Sequence, residues 1–330
     1  MSRRGWALFA LMSVIWGIPY LFIKVAVGGL APSVVVWGRL SIAGLVLLPI
    51  ALATGQLRGL GRHWRWLLGY AVAEVGLPWW LLTDAERRIG SGLAGLLVAS
   101  VPLFGALLAR IAGTERISRR RLAGLLVGIV GVAGLLGLDI SQAGRDGWAL
   151  VEVLITSLGY ATGPMIIQYR LARLPSIGVN AASLSAAALA YTPLALAQLP
   201  DRWPSASVLG SVVVLGLVCT AAAFLLFFRL IAEIGSARST VITYVNPAVA
   251  VGLGVTVLGE RLTLGMAVGF VLILAGSWVA TRADRGFTVS SQPHENSLPD
   301  SGTTVATKAA GPGAFVDSPA GCTSRLTGRE

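Results

Sequence analysis

Two stretches of this chain match each other at a fixed offset of 145 residues, and no gap is needed to keep them in register. Ile89-Gly90-Ser91 returns as Ile234-Gly235-Ser236, Pro102 as Pro247, Glu115-Arg116 as Glu260-Arg261, Gly124 as Gly269 and Gly131 as Gly276. A fixed offset of this kind means one structural unit written twice, so the second half must repeat the fold of the first. Composition narrows what that unit can be. Of 330 residues, 55% are hydrophobic and 12% charged, whereas an average soluble domain carries about 25% charge. Mean hydropathy is +0.76. The apolar residues come in long runs divided by short polar ones, the pattern of an all-α, polytopic membrane protein.

Ten segments are apolar over enough residues to cross a bilayer at about 1.5 Å per residue. They run roughly 6–27, 31–53, 64–83, 91–112, 121–138, 147–168, 177–199, 206–228, 238–258 and 263–281. The first is expected to be a transmembrane helix rather than a cleaved signal, because its Pro19 matches Pro164 in the repeat register. Five spans then fall in residues 1–140 and five in 141–282, leaving 283–330 as a Ser/Thr/Pro/Gly-rich extension expected to be a disordered cytoplasmic tail. Five is odd, so the second copy enters the membrane from the opposite face, and the expected architecture is two inverted five-helix repeats.

Basic residues set the expected orientation. Fifteen arginines fall on the side of the N-terminus and five (Arg87, Arg88, Arg145, Arg202 and Arg261) on the other, which puts both termini in the cytoplasm. Arginine far outnumbers lysine, which occurs only as Lys24 and Lys308, and with abundant Ala and Gly this fits a high-GC bacterium and its inner (plasma) membrane. Trp6, Trp64, Trp66 and Trp278 sit near inner ends and Trp79, Trp80, Trp148 and Trp203 near outer ends, as interfacial belts; Trp16 and Trp37 lie deeper. The net charge of +11 resides mostly in short loops, which speaks for topology and the lipid bilayer rather than for nucleic acid. Cys219 and Cys322 form neither a disulfide framework nor a metal-ligand pattern, and no cofactor is expected.

Prolines inside spans remove a backbone donor and free a carbonyl about one turn earlier. Pro19, Pro102, Pro164 and Pro247 form matched pairs across the repeat and are candidate hinges or cavity-lining kinks; helix packing is the alternative. Gly124, Gly128 and Gly131 share one helix face, and Gly265, Gly269 and Gly276 do much the same in the tenth span. Such faces let backbones approach closely, here between the fifth and tenth helices or between the subunits of a homodimer.

Ionisable residues deep in a span cost roughly 2.5–3.5 kcal/mol on insertion scales and are candidates for function. Lys24 is one, although it lies near enough to the outer end to snorkel. Arg39 and Glu74 lie about 12 and 13 Å below the outer boundary of adjacent spans. Equal depth predicts a buried ion pair; the same residues also suit a site in which Arg39 holds a substrate carboxylate and Glu74 takes up a proton. Glu152 lies about 7 Å below the outer edge of the sixth span, and Thr156 and Tyr160 continue its face. Trp16, Tyr20 and Lys24 repeat that spacing on the first span, so both stripes are candidate cavity walls. Tyr244 and Asn246, just before Pro247, can bond a ligand or the carbonyls that the proline frees.

The arrangement resembles the EamA-type members of the drug/metabolite transporter superfamily. The residues that carry the resemblance are Trp16-Gly17, Lys24, Arg39, and at the end of each copy Pro102…Glu115-Arg116…Gly124 and Pro247…Glu260-Arg261…Gly269. It covers about residues 6–281. It implies a secondary transporter that exports, or in some members imports, small metabolites such as amino acids. The halves differ where the site is expected: Ala161-Thr162-Gly163-Pro164 stands against Trp16-Gly17-Ile18-Pro19, and Leu184 against Arg39.

The expected function is therefore export of a small organic solute by alternating access, with protons as a candidate coupling ion. No phosphate-binding G-x-x-x-x-G-K-[ST] loop is present, which argues against direct ATP drive. The alternatives are an intramembrane lipid-modifying enzyme or a channel or scaffold. For the enzyme, His63 in a loop and His294 in the tail are the only histidines, and no Ser/His pair or membrane Asp pair is present.

Overall fold

The computed structural model describes residues 2–113, 119–138, 147–235, 239 and 241–281. The chain divides into two units, residues 1–284 and 285–330. The expected tail, with Glu115-Arg116 and Ser236, lies outside the described residues. Among the described residues the structure is helical and holds no strand. In chain order the helices are α1 (Arg3–Ala26), α2 (Pro32–Ala53), α3 (64–85), α4 (Ser91–Ile111), α5 (Arg119–Leu138), α6 (Gly147–Leu171), α7 (Ser176–Ala197), α8 (Ala206–Ile234), α9 (Ile242–Leu258) and α10 (Leu264–Thr281). By length and composition α1, α2, α4, α6, α7 and α8 suffice to cross a membrane; α9 and the apolar parts of α5 and α10 are shorter. Leu45, Leu189 and Val271 turn outward, 75%, 74% and 65% exposed. That surface suits hydrocarbon rather than water, and the protein is a multi-pass membrane protein.

Several helices are interrupted where the sequence removes a backbone donor. α1 breaks at Trp16-Gly17-Ile18, and Pro19 opens its second half. Both Gly17 and Ile18 donate to the Val14 carbonyl there. Gly17 is required: a Cβ would lie 2.6 Å from Val249 Cγ1 and 3.1 Å from the Asn246 carbonyl of α9. α4 breaks at Ala99-Ser100 ahead of Pro102. The repeat mates behave differently: Pro164 and Pro247 lie inside helical runs that do not break, although α6 turns π-helical at Ile167–Leu171, just beyond Pro164. Of the four candidate hinges, only those in the first half coincide with breaks.

α3 and α8 each carry a π-helical segment, Ala71–Gly76 and Leu217–Ala222, at nearly matched positions of the two halves. Pro78, four residues beyond Glu74, cannot donate to its carbonyl, and the α ladder gives way there. Neighbouring helices satisfy the carbonyls of this region: Tyr191 of α7 donates to Gly76 (3.1 Å) and Thr156 of α6 to Pro78 (3.1 Å). In α8 the Thr220 hydroxyl donates to Leu215 of its own helix (2.7 Å). Backbone groups bared in lipid must find partners of this kind.

Most of the larger helix contacts come in mates under exchange of the halves, although those of α4 with α10 and with α1 do not. α5 packs on α10, α2 on α7 and α4 on α9. α3 packs on α6 as α1 does on α8, α4 on α6 as α1 on α9, and α3 on α7 as α8 on α2. The glycine faces serve the first of these contacts. A Cβ on Gly131 would lie 2.8 Å from Leu272 Cβ, and one on Gly276 would meet the backbone of Gly128 and Gly124. Those glycines are thus used within the chain.

Side-chain ties gather at two ends of the bundle. At one end Ser33 donates to Gln198 (2.8 Å), Arg88 pairs with Glu152, and Glu260 reaches the start of α4. At the other, Ser2 donates to Glu233 (2.5 Å) and Tyr70 to Asn180 (3.1 Å).

Candidate functional site

Arg39 projects from α2 into the bundle and is only 7% exposed. Its Nε donates to Thr220 Oγ1 of α8 (2.9 Å), in the π-helical segment, and its Cζ stacks 3.6 Å from the centroid of the Trp79 ring of α3. A desolvated cation on an aromatic face gains about 2 kcal/mol. Held on two sides, the guanidinium makes no hydrogen bond beyond that of Nε among the described residues. Tyr20 of α1 and Tyr160 of α6 lie within electrostatic reach of it. A fixed buried guanidinium with open donors is built for a planar anion, above all a carboxylate.

The expected pair of Arg39 with Glu74 does not form: no ion pair joins them among the described residues. Glu74 lies in the π-helical segment of α3 and is directed at Gly163 of α6, where a Cβ would collide with its side chain. Its Oε2 is shielded and has no hydrogen-bond partner among the described residues. Position along a helix does not by itself set the direction of a side chain, which follows helical phase, and the π segment changes that phase. Cys219 occupies the repeat-mate position of Glu74 and is buried.

Lys24 does not snorkel outward. Its Nζ donates to the backbone carbonyls of Glu86 (2.6 Å) and Ile89 (2.8 Å), closing the loop between α3 and α4 onto α1. The Glu86 side chain is wholly buried, and both its carboxyl oxygens lack a hydrogen-bond partner among the described residues. Burial pushes this carboxyl well above the usual carboxylate range; Lys24 and Arg39 oppose the shift and Glu260 reinforces it. Glu260, from the loop before α10, accepts from Ser91 N (2.6 Å) and Gly92 N (2.9 Å) at the start of α4. It thereby satisfies donors that a helix N-terminus leaves open, with a charge of the sign the helix dipole favours. Gly90, Gly92 and Gly254 make the room; a Cβ on Gly254 would lie 2.5 Å from Glu260 Oε2.

The other candidates divide. Glu152 is 2% exposed and bound by Arg88, which also bonds Asp84 (2.5 Å), so it is a buried partner rather than an open wall. Tyr160 and buried Tyr20 stay with the Arg39 group. Trp16, half-buried, packs on Phe224 and Phe227 of α8, with ring centroids 6.4 and 4.6 Å away. Tyr244 is half-buried on α9. With its amide turned to suit its neighbours, Asn246 donates to Ile242 O (2.9 Å) and Ser13 O (3.1 Å), tying α9 to α1. Trp37 is explained by its hydrogen bond to Thr192 (3.0 Å). Trp79, expected in the interfacial belt, is instead 6% exposed beneath Arg39.

Sequence reasoning missed Thr220, Trp79, Glu86 and the carboxylate role of Glu260. Only Glu260 carried a signal, its place in the repeat. An apolar groove of about 230 Å³ between α3 and α7, lined by Leu68, Val72, Leu77 and Tyr191 among others, is separate from this polar centre and has no charged lining residue.

A helical bundle with an apolar outer surface and buried charge at its centre is the build of a membrane protein that handles a polar solute inside the bilayer. The EamA-like transporter family matches the chain twice, over residues 3–137 and 147–282, and the chain belongs to that family. It is 31% identical over 291 residues to the uncharacterized inner membrane transporter YedA of Escherichia coli (strain K12), covering 83% of this chain and 91% of that one. It is 27% identical over 291 residues to the probable terminal-alkyne amino-acid exporter of Streptantibioticus cattleyicolor, covering 87% and 96%. A crystal structure at 22% identity matches with a TM-score of 0.61, over 85% of this chain and 97% of that one, and shares its fold. Family and relatives point to a membrane transporter rather than an enzyme.

Proposed function

We propose that the protein is a secondary transporter that exports a small carboxylate-bearing metabolite of amino-acid type by alternating access, with ten spans arranged as two inverted five-helix repeats. The observation that carries this reading is Arg39, a buried cation braced by Thr220 and Trp79, with no hydrogen bond beyond that of Nε among the described residues. Tyr20 and Tyr160 lie within electrostatic reach of it and would line the solute's path. The amino-acid class and the direction agree with the name of the Streptantibioticus relative, a probable terminal-alkyne amino-acid exporter.

Three observations support the inverted repeat: the 145-residue register, the double family match and helix contacts that pair under exchange of the halves. The broken α1 and α4 against mates that do not break at the matched proline, α6 with a π-helical segment after it and α9, support a structure in which the two copies hold different conformations. Exchange of those conformations would carry the site from one face to the other. The arginine bias supports cytoplasmic termini in a bacterial inner membrane. The protein is purified, reconstituted in liposomes and offered a panel of radiolabelled amino acids in counterflow. Saturable exchange of at least one, lost in Arg39→Gln that still folds, is expected. Exchange unchanged in Arg39→Gln refutes the assignment of the site.

A further inference from the structure

We infer that Glu86 is a proton-binding site, the group whose protonation couples the proposed transport to a proton gradient. This rests on the transporter reading above and adds the coupling ion to it.

The inference comes from counting charges where the loop between α3 and α4 meets α1 and the loop before α10. Two carboxylates enter the region, Glu86 and Glu260. Glu260 is compensated: one oxygen accepts from Ser91 N and the other from Gly92 N, at the favourable end of α4. Glu86 is not. It is wholly buried, and neither oxygen has a hydrogen-bond partner among the described residues. The nearest cation, Lys24, donates to the backbone carbonyls of Glu86 and Ile89 rather than to the carboxylate. The other groups facing it are Tyr20 of α1, Arg39 of α2, Tyr160 of α6 and Glu260 itself. Beside it, at the end of α3, Asp84 is engaged by Arg87 (3.3 Å) and Arg88, which also binds Glu152.

A buried carboxylate without donors is far less stable than the neutral acid. The bound species is thus one proton on a carboxyl oxygen, taken from water and returned to it, with no other bond made or broken. Glu86 is covered by Lys24 bonding across its loop and by Glu260 latching α4. Opening that end would hydrate the carboxyl and favour its charged form; closing it would favour the acid. Protonation and closure are therefore linked, which is what coupling requires. Lys24 is placed to hold the loop shut and to meet the carboxylate when the loop loosens.

The test uses the full chain in lipid. Infrared difference spectra recorded against pH, in a Glu74→Gln background that removes the other unpartnered buried carboxyl, should show a protonated carboxyl band that persists at neutral pH, is absent once Glu86→Gln is added and titrates at lower pH in Glu260→Gln, where a neighbouring negative charge is lost. In proteoliposomes, amino-acid counterflow should survive in Glu86→Gln while stimulation by a pH gradient disappears. A Glu86→Gln protein that keeps the band, or whose transport responds to the gradient like the wild type, overturns the inference but leaves the transport reading intact. If the wild type moves no amino acid, that reading fails, and the infrared titration still decides whether Glu86 holds a proton.

Discussion

Replacing Glu260 with alanine should loosen one end of the bundle by an amount the geometry allows to be worked out. The carboxylate accepts two backbone hydrogen bonds, at 2.6 and 2.9 Å. Hydrogen bonds to a charged group contribute about 1.5–3 kcal/mol each, and the helix dipole adds about 0.3–1 kcal/mol. The terms are not additive, and Glu260 is only half-buried, so water can reach part of the space alanine would leave. A net loss of about 2–4 kcal/mol follows. At roughly 2–4 °C per kcal/mol, the value for chains of about 150–250 residues, the unfolding midpoint in detergent should fall by about 4–16 °C, towards the lower end for this longer chain. Glu260→Gln retains one acceptor and should lose about half as much. Gly254→Val, which fills the space of the carboxylate, should resemble Glu260→Ala. An alanine variant within about 1 °C of wild type, or a glutamine variant equally damaged, would refute the assignment of Glu260 as a helix-capping latch.

Thr220→Val removes the hydroxyl that orients Arg39 while leaving the stack on Trp79; the apparent affinity for a transported carboxylate should weaken by about fivefold, the equivalent of one hydrogen bond, with the folded fraction unchanged by size-exclusion chromatography. Gly276→Val places a branched side chain against the backbone of Gly128 and should lower the unfolding midpoint in detergent by several degrees, an overpacking cost of about 1–3 kcal/mol. Neutralising Arg88 alone strands the buried Glu152 and should cost about 3–5 kcal/mol; pairing it with Glu152→Gln should restore much of the loss in a double-mutant cycle. The raised Glu86 carboxyl binds its proton more tightly folded than unfolded. Its stabilisation is complete below the ordinary glutamate value near about 4.3 and is lost as pH rises through the raised folded value. The unfolding midpoint of wild type should accordingly decline with pH across that window, and Glu86→Gln should flatten the decline.

Much of the architecture was legible because it depends on local pattern. Apolar run length located the helices to within a few residues, and the glycine spacing anticipated the contact of α5 with α10. The site was legible in part. Arg39 stood out because an arginine so deep in a span needs a reason, and Tyr20 and Tyr160 followed by helical spacing. The expected pairing of Glu74 with Arg39 fails for a physical cause. Depth along a helix is set by about 1.5 Å per residue, but direction depends on helical phase, and the π-helical segment at Ala71–Gly76 resets it. Trp79 was misread because a tryptophan near a helix end looks the same in sequence whether its ring meets headgroups or an arginine. Glu86 was invisible: it sits in a short polar loop where charge is expected, and its burial arises from the closing of α1 and the loop before α10 over it. The four prolines were matched in sequence, yet only Pro19 and Pro102 lie at breaks, since a proline permits a kink that packing then accepts or suppresses.

Whether the polar centre opens to one face at a time can be measured with a single reporter thiol. Cys219 and Cys322 are the only cysteines, and a chain carrying Cys219→Ala, Cys322→Ser and Tyr160→Cys places one thiol beside Arg39. Labelling by a membrane-impermeant thiol reagent is followed from outside in intact cells and from the cytoplasmic face in inside-out vesicles, with and without Glu260→Ala. The inverted-repeat transporter predicts reciprocal change: releasing the latch raises labelling from outside and lowers it from the cytoplasmic face. Labelling that rises from both faces together, as in a channel, or that never reaches the thiol from one of them, would contradict alternating access.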